Sequence, residues 1–391
     1  MLDLPVGPTA VAVLRGALEP YVPRAAGVDD AAAQIRARAP ITPIAPIPVV
    51  SARISDEYRT RLIAAVRPDI ACPDACDVIL TTSGSTGEPK AVMHTWSAIE
   101  HSTHSLHERL GGAGAWVCAL PLHTSAGFMT VARSVVAGTQ AIAVESLGGA
   151  TPFNAEVFAH AVAQLESGPI YTSLVPEMAQ RLLGAASGID ALRRCDAVLI
   201  GGQAIPEPLV LALRSAGVNV VLSYGMTETC GGCVYNGQPL ADVNVSISHR
   251  RVEICGPVVM LGYRGNDAVI DPATQRCFLT SDVGHVTADG RLVIEGRTDD
   301  VVIVHGVNVS LSAVEAILRD LGINAIACAS DTTIYAATAS GLSPDEHQAA
   351  IARVSTELAV RIDFRVVSEV PMTAAGKPDR IALATLLASN S

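Results

Sequence analysis

The sequence predicts an α/β protein, with a large N-terminal domain of mostly parallel sheets flanked by helices, a β-rich subdomain, and a small α+β C-terminal domain. Three observations predict it. Apolar, strand-like segments alternate with amphipathic helical ones between residues 78 and 226, the pattern of a parallel sheet with helices on both faces. From about residue 243 the chain changes to short β segments with turns such as Asp289-Gly290. The C-terminal part then holds two amphipathic helices, SLSAVEAILRDLG and SPDEHQAAIARVSTELAVR, with strands between and after them.

In chain order, residues 1–38 read as one or two helices. The run APITPIAPIPVV at 39–50 has four prolines and reads as an extended connector or edge strand. Residues 51–70 return to a helical pattern. Val78 to Leu80 is a strand entering a Gly/Ser/Thr loop. Strands are expected at WVCAL (116–120), QAIAVE (140–145), PIYTSLV, AVLIGG (197–202) and NVVLSYGMTE. Helices are expected at FMTVARSVVAG (128–138), FNAEVFAHAVAQL (153–165), PEMAQRLLGAA and PEPLVLALRSAG. The boundary between the domains falls at Arg297–Asp300, giving units of 1–298 and 299–391.

At 391 residues with 49% hydrophobic content, the chain has material for two or three domains. Aromatics are only 4%, so the core is expected to be aliphatic. A net charge of −11 argues against nucleic acid as a partner, since phosphate binding needs basic patches. No apolar run is long enough to span a bilayer, and the N-terminus lacks a basic, signal-like start, so no membrane partner and a cytoplasmic location are expected. Nine scattered cysteines do not read as a disulfide framework. The pairs Cys72/Cys76 and Cys230/Cys233 suit a redox or zinc site less well than small residues packed in a turn.

The strongest local signal is TTSGSTGEPK at 81–90. Gly84 and Gly87 free the backbone, Ser83, Ser85 and Thr86 supply hydroxyls, and Lys90 supplies charge. Exposed N–H groups with hydroxyls cradle polyphosphate. Glu88 and Pro89 separate the last glycine from the lysine, so this is not the loop of P-loop NTPases. Alone, the string also suits an ordinary surface loop.

It is not alone. T-S-G-S-T-G-x-P-K resembles the phosphate-loop signature of the adenylate-forming enzymes, which include acyl-CoA synthetases, carrier-loading adenylation domains and luciferases. Four further stretches resemble that family's motifs in order: SYGMTET at 223–229, TSDVGHVTADGRLVIEGRTDD at 280–300, HGVNVSLSAVEAIL at 305–318 and PMTAAGKPDR at 371–380. The resemblance implies ATP, Mg²⁺ and coenzyme A as cofactor and co-substrates, and a small-molecule carboxylic acid as partner. It allows a homo-oligomer.

Residue by residue, the resemblance implies that Ser83, Gly84, Ser85, Thr86, Gly87 and Lys90 hold the β- and γ-phosphates. Glu228 would ligate Mg²⁺ and Thr227 would touch the α-phosphate. Tyr224, within Tyr224-Gly225-Met226, would stack on adenine beside Gly201, Gly202 and Gln203. Asp282, with Arg297 nearby, would bind the ribose hydroxyls. Lys377 would reach the carboxylate and α-phosphate during adenylation. Asp299 would be the hinge of a mobile small domain, whose rotation withdraws Lys377 and brings Gly306 toward the CoA thiol. Outside these motifs, Glu228 and Asp282 would be plain surface carboxylates and Lys377 a solvated lysine.

The stretches 120–139, 173–183 and 225–240 are similar to the o-succinylbenzoate–CoA ligases of menaquinone biosynthesis, compact members of the family, in particular their actinobacterial form. Those enzymes tend to carry histidine where this chain has Thr124, next to His123. Arg133 either meets the second carboxylate of such an acid or caps or salt-bridges its own helix. Ser125, Thr172 and Ser173 are further pocket candidates. Other readings are a ligase for another aryl or medium-chain acid, a carrier-loading enzyme, and a nucleotide-binding homologue without catalysis.

Overall fold

The computed structural model describes residues 2–3, 9–22, 46–47, 56–67, 70, 73, 75–82, 90–147, 151–265, 276–304, 307–330, 333–371 and 378–389. The expectations that rest on Ser83 to Gly87, on Gly306 and on Lys377 lie outside those residues, as does most of the proline-rich run 39–50.

Near the N-terminus, β1 (Leu2–Asp3) pairs with β2 (Pro46–Ile47), and the helices are α1 (Thr9–Leu18) and α2 (Asp56–Val66). Next, β3 (Val78–Thr82) and β4 (Lys90–His94) pair antiparallel from Val78↔His94 to Thr82↔Lys90. The helix α3 (Trp96–Leu110) starts on Thr95, whose hydroxyl accepts from Ala98 N.

The alternating region then folds as β5 (Ala115–Cys118), α4 (Ser125–Val136), β6 (Ala141–Ala143), α5 (Ala155–Ala163), β7 (Ile170–Leu174), α6 (Pro176–Leu183), α7 (Ala186–Arg194), β8 (Ala197–Gly201), α8 (Glu207–Ser215) and β9 (Val220–Met226). The expected strands and helices are present, and α7 is additional. β10 (Gly231–Tyr235) and β11 (Gln238–Pro239) complete a seven-stranded sheet of order β11-β10-β9-β8-β7-β5-β6. Pairing is parallel from β6 to β9 and antiparallel at β10 and β11.

Both faces of this sheet are buried, as parallel strands require. Val117, Val198, Ile200 and Val220 pack on one face with Phe158 of α5, Leu182 of α6, Leu192 of α7 and Leu213 of α8. Trp116, Tyr171, Leu199 and Val221, their alternating neighbours, pack on the other with Leu106 of α3.

After β11 come β12 (Asn244–Ser248), β13 (Arg251–Cys255), β14 (Gly262–Tyr263), β15 (Cys277–Val286) and β16 (Leu292–Arg297). Four of them form an antiparallel sheet of order β12-β13-β15-β16, while β14 joins β4. Cys255 and Cys277 are register partners on β13 and β15 and form a disulfide. The sequence reading found no disulfide framework and did not single out this pair. Their separation of 22 residues carries no signal until strand register brings them together. A disulfide is uncommon in a reducing cytoplasm. Cys230 and Cys233 are buried thiols, and no metal-binding group occurs among the described residues.

The remaining elements are β17 (Val301–Val304), β18 (Val307–Ser310), α9 (Leu311–Asp320), β19 (Ile326–Ser330), β20 (Thr333–Thr338), α10 (Pro344–Leu358), β21 (Ile362–Val366) and α11 (Arg380–Ser389). Their apolar clusters draw only on residues from 302 onward. The sequence reading placed strand, not helix, at the end of the chain. α11 forms because Asp379 caps it: its Oδ1 accepts from Ala382 N at 3.0 Å, and Leu383 and Leu387 bury against Cys328 and Tyr335. No helix among the described residues is long and apolar enough to cross a membrane.

Asp379→Ala is expected to cost about 1 kcal/mol of local stability, the usual worth of such a cap. Faster amide hydrogen exchange in α11, with no change in α3 or α4, is the readout.

Candidate active site

The candidate residues collect at the carboxyl ends of β8 and β9, where open parallel sheets bind ligands. Gly201 ends β8 against the backbone of β9, and a Cβ there would sit 2.4 Å from Ser223 O. Gly202 has φ +80°, a left-handed conformation that favours glycine. Gln203 follows, and its amide donates to Glu177 at 3.2 Å. Across from them, Gly225 lets β9 and β10 close tightly, since a Cβ would lie 2.0 Å from Gly231 O.

Tyr224, Asp282 and Arg297 meet directly. The Tyr224 hydroxyl donates to Asp282 Oδ2 at 2.5 Å, and Arg297 Nη1 donates to Asp282 Oδ1 at 2.9 Å. Asp282 is buried on β15, and its register partner on β16 is Arg297. Burial, then the Asp282 charge, drive the Tyr224 hydroxyl far above its usual range, so it stays a proton donor. Arg297 also holds Asp299 with two bonds of 2.7 Å. Asp299 first, and Asp282 after burial's opposing effect, keep the guanidinium charged. The expected hinge residue is thereby tied to the expected ribose site.

A second group forms around the turn Thr227–Thr229 that follows β9. Thr227 Oγ1 donates to Ser125 Oγ at 3.4 Å, a long contact. Glu228 Oε1 accepts from the Tyr263 hydroxyl at 2.7 Å. Lys90 Nζ stands 5.2 Å from the Tyr263 ring centre. Burial, then Glu228, raise the Tyr263 hydroxyl and keep it protonated. Sequence reasoning missed Tyr263. It lies on β14, which pairs with β4 at Tyr263↔Val92, so no local pattern links it to Glu228.

Glu228 fits Mg²⁺. Its carboxylate is held through Oε1 by Tyr263, and Mg²⁺ is usually held by one or two carboxylates plus substrate phosphates rather than by an all-protein cage.

The proposed acid-side residues divide. Half-buried His123 precedes α4, and Ser125 begins it. Thr124 is its N-cap, accepting from Gly127 N at 3.1 Å and donating to Pro121 O at 2.7 Å. Thr172 and Ser173 are both buried on β7, and the Thr172 hydroxyl is engaged by Val117 O at 2.9 Å inside the sheet. Arg133 is also buried. Its guanidinium donates to the Tyr235 hydroxyl at 3.1 Å and lies 5.0 Å from the Trp116 ring centre. Among the described residues it meets no carboxylate, and its Nε has no hydrogen bond. The structure therefore does not bring Arg133 or Thr172 to an open surface beside Thr227, and the expected helix salt bridge of Arg133 is not formed either.

Residues 18–297 match the sequence profile of the AMP-binding enzyme family, and the chain belongs to that family. Among its relatives is a Mycobacterium tuberculosis (strain H37Rv) protein named "Probable 2-succinylbenzoate--CoA ligase", 34% identical over 338 residues that cover 82% of this chain and 87% of the relative. The 2-succinylbenzoate–CoA ligase of Bacillus subtilis is 29% identical over 270 residues, covering 63% of this chain and 54% of that protein. Among solved structures, the o-succinylbenzoate CoA synthetase of Bacillus subtilis in complex with its acyl-adenylate superposes with a TM-score of 0.67 at 24% identity, over 86% of this chain and 77% of that one. The two share a fold.

Tyr263→Phe removes the donor to Glu228 and is expected to raise the KM for Mg·ATP about 10-fold or more, the range for a lost hydrogen bond to a charged group. Asp282→Asn should raise the KM for ATP by about 10-fold or more on the same basis. Steady-state titration of nucleotide at saturating Mg²⁺ measures both, and an unchanged KM in either variant removes that residue's assignment.

Proposed function

We propose that the chain is an AMP-forming acid–thiol ligase that joins o-succinylbenzoate to coenzyme A through an acyl-adenylate, releasing AMP and pyrophosphate. The observation that carries this reading is the 34% identity with the Mycobacterium tuberculosis relative, which runs over most of both chains. The direct contacts among Tyr224, Asp282 and Arg297, and those among Glu228, Tyr263 and Lys90, support it.

A carboxylate is a poor acyl donor because it would have to expel oxide. In the first half-reaction its oxygen bonds to the α-phosphorus in line, and the bond to the bridging oxygen breaks to release pyrophosphate. In the second, the CoA sulfur bonds to the acyl carbon and AMP leaves with the acyl oxygen. The protein's part is chiefly positioning and charge neutralisation. Asp282 accepts the ribose hydroxyls while Tyr224 and Arg297 hold its carboxylate in place. Thr227 touches the α-phosphate. Lys90 and the 83–87 segment neutralise the outgoing pyrophosphate, and Glu228 would hold Mg²⁺, which supplies further neutralisation of phosphate charge when bound. Lys377 stabilises the crowded phosphorus.

Two half-reactions at one site call for two arrangements. Units of 1–298 and 299–391, hinged at Asp299, would supply them. The separate apolar clusters of the C-terminal elements support such a division. So does the Arg380 guanidinium, which bridges Asp300 at 2.6 Å and Glu315 at 2.8 Å and links α11 to the chain beyond the hinge.

One observation favours a second reading, a ligase for another aryl or medium-chain acid: Thr124 is fully engaged as a helix cap, where the resembling ligases tend to carry histidine.

The test is thioester formation by mass spectrometry with ATP, Mg²⁺, CoA and o-succinylbenzoate, beside benzoate and octanoate. The expected result is a CoA thioester with o-succinylbenzoate alone. A thioester only with a control acid would keep the ligase and overturn the substrate. AMP release without any thioester would make the protein a carrier-loading enzyme.

A further inference from the structure

Strand β4 begins at Lys90 and ends at His94. His94 is fully buried and reaches across to the turn after β9. Its Nε2 lies 2.7 Å from Thr227 O, and its Nδ1 lies 3.1 Å from Cys230 Sγ. A carbonyl oxygen only accepts, so Nε2 carries the proton and Nδ1 is free to accept from the Cys230 thiol. Burial first pushes His94 down to about 4, and Arg276 adds to this, so the ring is neutral near pH 7.

Cys230 is unusual in its backbone as well. It has φ +54°, in the left-handed region. Glycine takes that conformation at no steric cost, and Gly231 and Gly232 follow immediately. A side chain is present at 230 despite the conformational cost, and among the described residues its hydrogen-bond partner is His94.

The pair therefore joins two pieces of the ATP site that are far apart in sequence. β4 carries Lys90 and, through Met93 and Val92, pairs with Gly262 and Tyr263 of β14. The turn carries Thr227 and Glu228. Met260 N donates to Glu228 O at 2.9 Å, and Leu261 N to Met93 O at 2.8 Å, so the segment leading into β14 contacts both pieces. His94 is the side chain that pins the turn's own backbone to β4.

Resting on the adenylation reading above, we propose that His94, with its tautomer set by Cys230, is a positioning residue for acyl-adenylate formation: it clamps the Thr227 carbonyl to β4 and so fixes Thr227 and Glu228 relative to Lys90. It touches no reacting atom. Its effect belongs to the half-reaction in which the triphosphate is held, because Lys90 and Glu228 have no pyrophosphate to hold in the second.

The two half-reactions, measured separately, test this. His94→Leu is expected to slow adenylate formation about 10- to 100-fold, the cost of a displacement on the scale of an ångström. The KM for the acid and the rate of thioester formation from supplied o-succinylbenzoyl adenylate should each stay within about threefold. His94→Gln, which offers an N–H near the same place, should recover most of the loss. Cys230→Ser, which can still donate to Nδ1, should exceed Cys230→Ala in adenylation rate. Equal slowing of both half-reactions, or identical behaviour of the Ser and Ala variants, would overturn the proposal. If His94→Leu does not fold, the two Cys230 variants decide it alone. Affinity for Mn²⁺·ATP, read by water-proton relaxation, separates this proposal from the choice of acid. Weaker Mn²⁺·ATP binding in the His94 and Cys230→Ala variants supports the clamp even if o-succinylbenzoate is not the substrate, and unchanged binding rejects it.

Discussion

The turn between β9 and β10 is the constraint on which the site depends. The parallel sheet ends there: β9 is its last parallel strand, and β10 returns antiparallel through a passage that only small residues allow. Within four residues the chain must leave Thr227 and Glu228 partly exposed and still bury Thr229 and Cys230. Thr229 closes the turn on itself, with its hydroxyl bonded to Gly231 O and accepting from Met226 N. Ser125, His94 and Tyr263 then hold it from three different elements. Groups held in this way need no reorganisation when charge develops on the phosphates, and preorganisation of that kind is where electrostatic catalysis originates.

The proposed ribose side, around Asp282, follows a different logic. Asp282 is a buried carboxylate, which is costly unless paired and hydrogen-bonded. Tyr224 and Arg297 satisfy one oxygen each, and each oxygen keeps a lone pair for a ligand hydroxyl. Because Arg297 divides its donors between Asp282 and Asp299, a change in the backbone around Asp299 is felt at Asp282. On the proposed reading, that is a physical route by which movement at the proposed domain junction and nucleotide contact would become coupled.

Much of this was legible in the sequence, and the rest fails for identifiable reasons. Strand–helix alternation located the parallel sheet because both of its faces are buried and its segments are short and apolar. Motif order singled out Tyr224, Thr227, Glu228, Asp282 and Arg297; the structure joins Tyr224, Asp282 and Arg297 directly and places Thr227 and Glu228 in the turn that follows β9. Tyr263 and His94 escaped notice because their roles arise from the pairing of β14 with β4 and from contacts across the sheet, which no local pattern encodes. The Cys255–Cys277 bridge escaped for the same reason: register, not spacing, creates it. Asp379 was a readable helix cap that went unread. Arg133 had suitable chemistry and the right neighbourhood. However, its helix turns it into the interior, where Trp116 and Tyr235 surround it.

The central claim is that one nucleotide spans the Tyr224–Asp282–Arg297 group and the Thr227–Glu228 turn. A crystal structure with a non-hydrolysable acyl-adenylate analogue tests it most directly. The account predicts adenine against Tyr224, both ribose hydroxyls within hydrogen-bonding distance of Asp282, and the phosphate mimic beside Thr227, with the Tyr224 and Arg297 contacts to Asp282 retained. An analogue bound elsewhere, or one whose ribose leaves Asp282 bonded only to Tyr224 and Arg297, would contradict it.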